Sequence, residues 1–153
     1  DGEIRQIGTP WEIYKEPKTS FIAEFVGISN FITAKKKNGN VQFGQLGMVV
    51  SNLDDIDSQT VYLAIRPENI ELLAVDISAV NYLPSNFVEV EAEIFTFLGA
   101  IVRVSFTLEA EEMIVDISEK EFEKIKLKRK DKIKLYFPPD AFHVYSELFK
   151  KLI

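Results

Sequence analysis

Val88, Val90, Ala92 and Ile94 alternate with Glu89, Glu91 and Glu93, and this period-two pattern constrains the fold more than any other feature of the chain. Successive side chains of a strand point to opposite faces, so the stretch reads as a half-buried strand with its carboxylates in water. The scheme returns after a Leu98-Gly99-Ala100 turn, where Val102, Val104, Phe106 and Leu108 alternate with Arg103, Ser105 and Thr107. It returns again in Ile133, Leu135 and Phe137 against Lys132, Lys134 and Tyr136, up to Pro138-Pro139. Asn38-Gly39-Asn40 separates Phe31-Lys37 from Val41-Phe43, which is a hairpin signal. In Val61-Leu73 an apolar strand runs into Arg66-Pro67-Glu68 and resumes. Proline cannot donate to a sheet ladder, so Pro67 marks a strand end and leaves Arg66 and Glu68 at a bend.

Helical signals are few. Ser118-Glu-Lys-Glu121 has capping-box spacing, with Phe122 and Ile125 on one face. Thr9-Pro-Trp-Glu12 places a hydroxyl N-cap before Pro at N1 and Glu at N3, predicting a short helix over about 10–15 that Pro17 stops. Phe21, Ile22, Phe25 and Val26 share a helical face, with Gly27 placed to end it. Two short helices cannot make a core, so their apolar faces must dock on the rest of the chain or on a domain upstream. The tail Glu147–Ile153 reads as a further helical turn or a frayed end. Strands in 31–73 and 88–145 with one intervening helix predict a mainly-β fold of two interlocked, tandem OB-like small antiparallel barrels sharing one core. Closure would protect edges that such strands otherwise leave open.

Chemistry is mostly excluded. The chain has 153 residues, a formal net charge of -6 and no cysteine, which argues against wrapping nucleic acid or adhering to an anionic membrane and rules out disulfides and thiolate metal sites. No apolar run approaches the roughly 20 residues needed to span a bilayer, and Asp1-Gly2 reads as a start in mid-protein. There is no phosphate-cradling Gly-x-x-x-x-Gly-Lys, no Gly-x-Ser-x-Gly and no His-Glu-x-x-His. His143 is the single histidine and reads as a packed or surface residue near the C-terminal strand. Glu111-Glu112 and Asp54-Asp55 read as solvated loops. No catalytic or metal residue is therefore assigned, and the chain as it stands is not expected to be an enzyme. The basic run Lys124–Lys134 beside Tyr136 and Phe137 suits a free-standing OB-fold binder of single-stranded nucleic acid. A solvated helix end and strand face is the plainer reading, with Phe137 in the core. Lys35-Lys36-Lys37 reads as a solvated hairpin arm.

Gly2-Glu-Ile-Arg-Gln-Ile-Gly-Thr-Pro-Trp-Glu-Ile-Tyr14, then Pro17, Phe21-Ile-Ala-Glu-Phe-Val-Gly27 and Ser29-Asn30, resembles the segment that follows the ATPase core in ATP-binding subunits of ABC importers. Ile65-Arg-Pro-Glu-Asn-Ile-Glu71, Leu98-Gly99 and Phe137-Pro-Pro-Asp-Ala-Phe-His-Val-Tyr145 resemble their C-terminal regulatory region, which contains the TOBE (transport-associated OB) domain. The resemblance implies a helical linker over 1–30, after an ATPase core that lies upstream, and a TOBE/OB-like regulatory domain over 31–153. It implies a homodimer that tunes ATP-driven solute uptake, contacts with its own ATPase domain and through it with transmembrane permease subunits, and a place on the cytoplasmic face of the membrane. ATP and Mg would belong to the ATPase core, with no cofactor in this region. Arg66 and Glu68 become candidates for a strand corner or an interdomain contact. The region from Ile114 to Val144 is also similar to importers of molybdate and tungstate, some of which bind an oxyanion in this domain. Leu83-Pro-Ser-Asn86 stands where a Ser-Ala-Arg-Asn stretch is typical, which makes Ser85 and Asn86 the ligand-binding candidates. Polyamine, iron and sugar importers share the other motifs.

Overall fold

The computed structural model describes residues 2–73 and 85–148. Strand β1 (Asn30–Lys37) turns through Asn38-Gly39 into β2 (Asn40–Phe43), and β3 (Leu46–Met48) follows. Asn38 and Gly39 both have positive φ, 52° and 79°, the two-residue primed turn whose twist matches that of the flanking strands. After a loop, β4 (Thr60–Ile65) pairs antiparallel with β1, and β11 (His143–Tyr145) returns to its other edge, giving a five-stranded sheet in the order β11-β4-β1-β2-β3. Strand β5 (Glu71–Leu73) joins β10 (Lys132–Tyr136) and β6 (Phe87–Glu91) in a three-stranded sheet, and β7 (Phe95–Phe97), β8 (Ile101–Leu108) and β9 (Glu111–Ser118) form another. The fold is thus mainly β, antiparallel and OB-like. Its halves are interlocked, because β5 leaves the first half for β10 and β11 comes back to β4. One apolar cluster joins all three sheets, with Ile32 and Leu63 from the first, Val88 and Leu135 from the second and Val104, Phe106 and Val115 from the third. Phe137 is in it, as its alternation predicts.

Two strand expectations need correction. The alternation 88–94 is not one strand: β6 ends at Glu91, and the chain bends over 92–94 before β7. The bend changes partners. Ala92 bonds to Lys130 and Asp131, whereas Glu93 and Ile94 bond to Ser105, so the segment passes from the second sheet to the third and Ile94 turns out to solvent. Glu111-Glu112, read as loop, instead opens β9. The hairpin before it is closed by Glu109 and Ala110, both at positive φ, without the Asn or Gly that usually announces such a turn.

The helices follow their local signals. In α1 (Pro10–Lys15) Thr9 and Glu12 form the reciprocal capping box. In α2 (Ser20–Phe25) Thr19 caps the N-terminus, and the C-terminus is a Schellman motif: Ile28 N–H donates to Ala23 O and Gly27 N–H to Glu24 O, with Gly27 at φ 91°. Helix α3 (Glu119–Ile125) is capped by the Ser118 hydroxyl, and Phe122 packs edge-on against Phe95 and Phe97. The part of the predicted C-terminal turn from 149 to 153 lies outside the described residues.

Candidate functional site

The bend that Pro67 imposes is where the N-terminal segment meets the sheets. Arg66 is held extended (φ -70°, ψ 139°), as a residue before proline prefers, and Pro67–Asn69 form a single 3-10 turn. This aims the Arg66 side chain beneath the helices, where it is only 5% exposed. Its guanidinium donates to Tyr14 O near the end of α1 and to Val26 O (3.4 Å) at the C-cap of α2. Helix C-termini leave carbonyls without intrahelical donors, and one cation here satisfies two helices at once. The same guanidinium lies 3.7 Å from the centroid of the Tyr14 ring, a cation–π arrangement. Arg66 does not pair with Glu68. Glu68 is exposed and accepts from the Tyr14 hydroxyl at 3.2 Å.

A second contact lies beside the first. Buried Tyr145 of β11 donates its hydroxyl to Pro17 O at 2.7 Å, and Tyr145, Ala64, Ala23 and Ile28 form a small apolar cluster with Phe31 and Tyr62. It covers one end of the outer face of the first sheet. Burial pushes the Tyr145 phenol well above its usual range, so it stays a donor. Nearby His143 is half-buried. Burial first, and the Arg66 cation second, pull its pKa below 6.5 against an opposing pull from Glu16, so the neutral imidazole is favoured. A cavity of about 740 Å³ between Glu16–Lys18 and His143–Tyr145 opens here.

Ser85 and Asn86 lie in the turn before β6. Ser85 is exposed, while Asn86 is buried at φ 67°. The Asn86 amide is engaged with backbone on two sides: Oδ1 accepts from Val49 N–H, and Nδ2 donates to Val49 O and Phe137 O, each at 2.7 Å. Asn30 does the same in the other direction, donating to Ile114 O and accepting from Ile114 N–H at 2.8 Å. The sequence carries a sign of this pair, since both asparagines sit in identical Ser-Asn-Phe tripeptides at 29–31 and 85–87.

The basic run at Lys124–Lys134 is set among carboxylates: Lys132 and Lys134 stand across from Glu91 and Glu89 in the β10–β6 register, and Lys132 Nζ lies 3.9 Å from Glu89 Oε1. Tyr136 is stacked on Phe87 at 4.5 Å and Phe137 is fully buried, so neither ring is a free platform for a base. Among the described residues no helix is long and apolar enough to cross a membrane, and no cluster of His, Asp and Glu has metal-holding geometry.

Comparison with known proteins fits this architecture. Residues 63–145 match the TOBE domain family. The sn-glycerol-3-phosphate import ATP-binding protein UgpC of Vibrio cholerae is 35% identical over 95 residues, 56% of this chain and 26% of that protein. The spermidine/putrescine import ATP-binding protein PotA of Trichormus variabilis is 36% identical over 89 residues, 52% of this chain and 23% of that one. The sulfate/thiosulfate import ATP-binding protein CysA 2 of Shewanella oneidensis is 26% identical over 132 residues, 85% of this chain and 35% of that one. The chain thus spans from about a quarter to about a third of the length of these relatives. Among solved structures, the cytoplasmic molybdate-binding protein ModG with molybdate bound superposes with a TM-score of 0.61 over 77% of this chain and 96% of that chain. At 12% identity this likeness is one of fold alone. With residues 63–145 matched over more than half of its length, the chain belongs to the TOBE domain family, and its relatives are ATP-binding subunits of importers.

Proposed function

We propose that this chain is the regulatory and dimerisation region of the ATP-binding subunit of an ABC importer, tuning ATP-driven solute uptake. The observation that carries the reading is the TOBE match at 63–145 together with relatives that include import ATP-binding proteins for glycerol phosphate, polyamines and sulfate. In this reading residues 1–30 link an upstream ATPase core to a TOBE/OB-like domain over 31–153. ATP and Mg bind only the core, and the subunit works as a homodimer on the cytoplasmic face of the membrane against permease subunits. The Arg66 corner supports the linker role. It fixes the ends of α1 and α2 to the sheets through few, directional contacts, while Trp11 (66% exposed) and Phe25 (82%) turn away from them. Large apolar side chains so exposed suit a face that another domain covers. The test is to read the coding sequence upstream of Asp1: a phosphate-binding loop and the ABC signature are expected, and an open reading frame without them overturns the proposal.

The ligand class proposed is an oxyanion, with exposed Ser85 meeting it and Asn86 holding the turn rigid. Neutral hydroxyl and backbone donors suit a desolvated oxyanion. Thermal unfolding against molybdate, tungstate and spermidine tests this. A ligand at about 100 times its Kd stabilises by about 2.7 kcal/mol, so a rise with one oxyanion that Ser85→Ala abolishes is the expected result. No rise with any oxyanion removes sensing at this turn and leaves a structural, dimerising role.

A further inference from the structure

We propose that the open end of the outer face of the first sheet is a binding groove for a soluble multivalent anion of the phosphate or sulfate type. The residues are Lys35 and Lys37 of β1 with Thr33, Gln42 of β2 and Thr60 of β4, and they line a groove of about 470 Å³. Thr33, Lys35 and Lys37 are exposed on one face of the strand, while Ile32 and Ala34 of the opposite face are in the core and Lys36 is half-buried. At the strand repeat the two lysines stand about 7 Å apart, close enough for both flexible chains to reach one anion. Register adds neutral donors: Lys35 lies directly between Thr60 and Gln42, whose Nε2 spends one N–H on Gly44 O at 3.1 Å and keeps the other. At Lys35 the strand has a neighbour on each side, so recognition there falls to these side chains.

A second lysine-bearing sheet face in the same molecule shows why this one is different. On β10, Lys132 and Lys134 each stand opposite a glutamate of β6. On β1, Lys35 and Lys37 stand opposite Gln42, Thr60 and Asn40, and among the described residues neither forms an ion pair or a side-chain hydrogen bond. The carboxylate at the rim, Glu109, is turned to the Gln45 N–H beside Gly44, which is closely covered by that side chain. In a chain of net charge -6, this concentrates unbalanced positive charge in one concave place, and such clefts raise the local concentration of anions. The groove shares β1 and β4 with the apolar cluster that seats α2, so an anion bound here would sit on the strands that carry the N-terminal helices. The site is separate from Ser85 and Asn86 and does not rest on the importer reading.

Isothermal titration of the full chain with inorganic pyrophosphate and with sulfate, at low ionic strength, tests it. Saturable binding is expected for the wild type, weakened at least about tenfold by Lys35→Gln with Lys37→Gln. The pair Lys132→Gln with Lys134→Gln changes net charge equally and should leave the affinity within about twofold, because it removes lysines already facing carboxylates. Ser85→Ala should also leave it unchanged. Equal losses from the two lysine pairs would overturn the groove, reducing the effect to overall charge. So would absence of binding, loss of binding on Ser85→Ala alone, or adhesion of the chain to phosphatidylglycerol vesicles without affinity for the soluble anions.

Discussion

The tripeptides Ser29-Asn30-Phe31 and Ser85-Asn86-Phe87 open the two halves of the molecule with the same letters and different backbones. Asn30 is the first residue of β1, and its amide makes a reciprocal pair with the Ile114 backbone. Asn86 precedes β6 in a left-handed conformation and bridges two segments, Val49 after β3 and Phe137 after β10. Each asparagine of one half thereby satisfies backbone groups of the other: residue 30 reaches 114, and residue 86 reaches 49. A side-chain amide carries the donor and acceptor of a peptide group, so each acts as one extra residue of strand where sheet pairing stops. The difference is one of load. Asn86 makes three hydrogen bonds where Asn30 makes two, and it alone needs a positive φ.

Replacing the two asparagines separately tests that ranking. Asn86→Ala leaves the amide and carbonyl of Val49 and the carbonyl of Phe137 without this partner, and it forces a Cβ residue without a local hydrogen bond into the left-handed region. The expected cost is about 3 kcal/mol. Asn30→Ala loses two bonds at an unstrained position and should cost about 2 kcal/mol. Urea unfolding monitored by circular dichroism checks both. A midpoint lower for Asn30→Ala than for Asn86→Ala would break the comparison, showing that the β1–β9 junction carries the interlock.

Much of this fold is legible in the sequence where the chemistry is local. The Asn38-Gly39 turn, the Thr9 and Ser118 caps and the Gly27 stop lie within a few residues of what they control. The β-rich class is equally legible, because alternation is a property of each strand alone. What depends on partners distant in sequence is not. The stretch 88–94 alternates as though continuous, and the exchange of Lys130 and Asp131 for Ser105 as backbone partners splits it. The Glu109-Ala110 turn has no residue signal, since its φ values are imposed by the pairing of β8 with β9. Arg66 was legible as a bend, but its acceptors at Tyr14 and Val26 lie 52 and 40 residues away. Its role as a clasp therefore needed coordinates. Asn30 and Asn86 fall between these cases: the repeated tripeptide is plain in the letters, yet nothing local says which backbone each amide meets.

The smallest effect discriminates most sharply, because it should change sign between the two sites. Glycine has no Cβ penalty at positive φ but loses more chain entropy than alanine on folding into a strand. At Asn86, where φ is 67°, relief of the left-handed strain should make Asn86→Gly more stable than Asn86→Ala, by about 1 kcal/mol. At Asn30, inside β1, Asn30→Gly should be less stable than Asn30→Ala by about 0.5–1 kcal/mol. The hydrogen bonds lost are the same for glycine and alanine at each site, so each difference isolates the backbone term. Denaturant midpoints for the four variants would show it. If glycine were the worse residue at both sites, Asn86 would be held by its amide alone and the left-handed turn would contribute nothing to its choice. If it were the better at both, the strand character of Asn30 would be at fault.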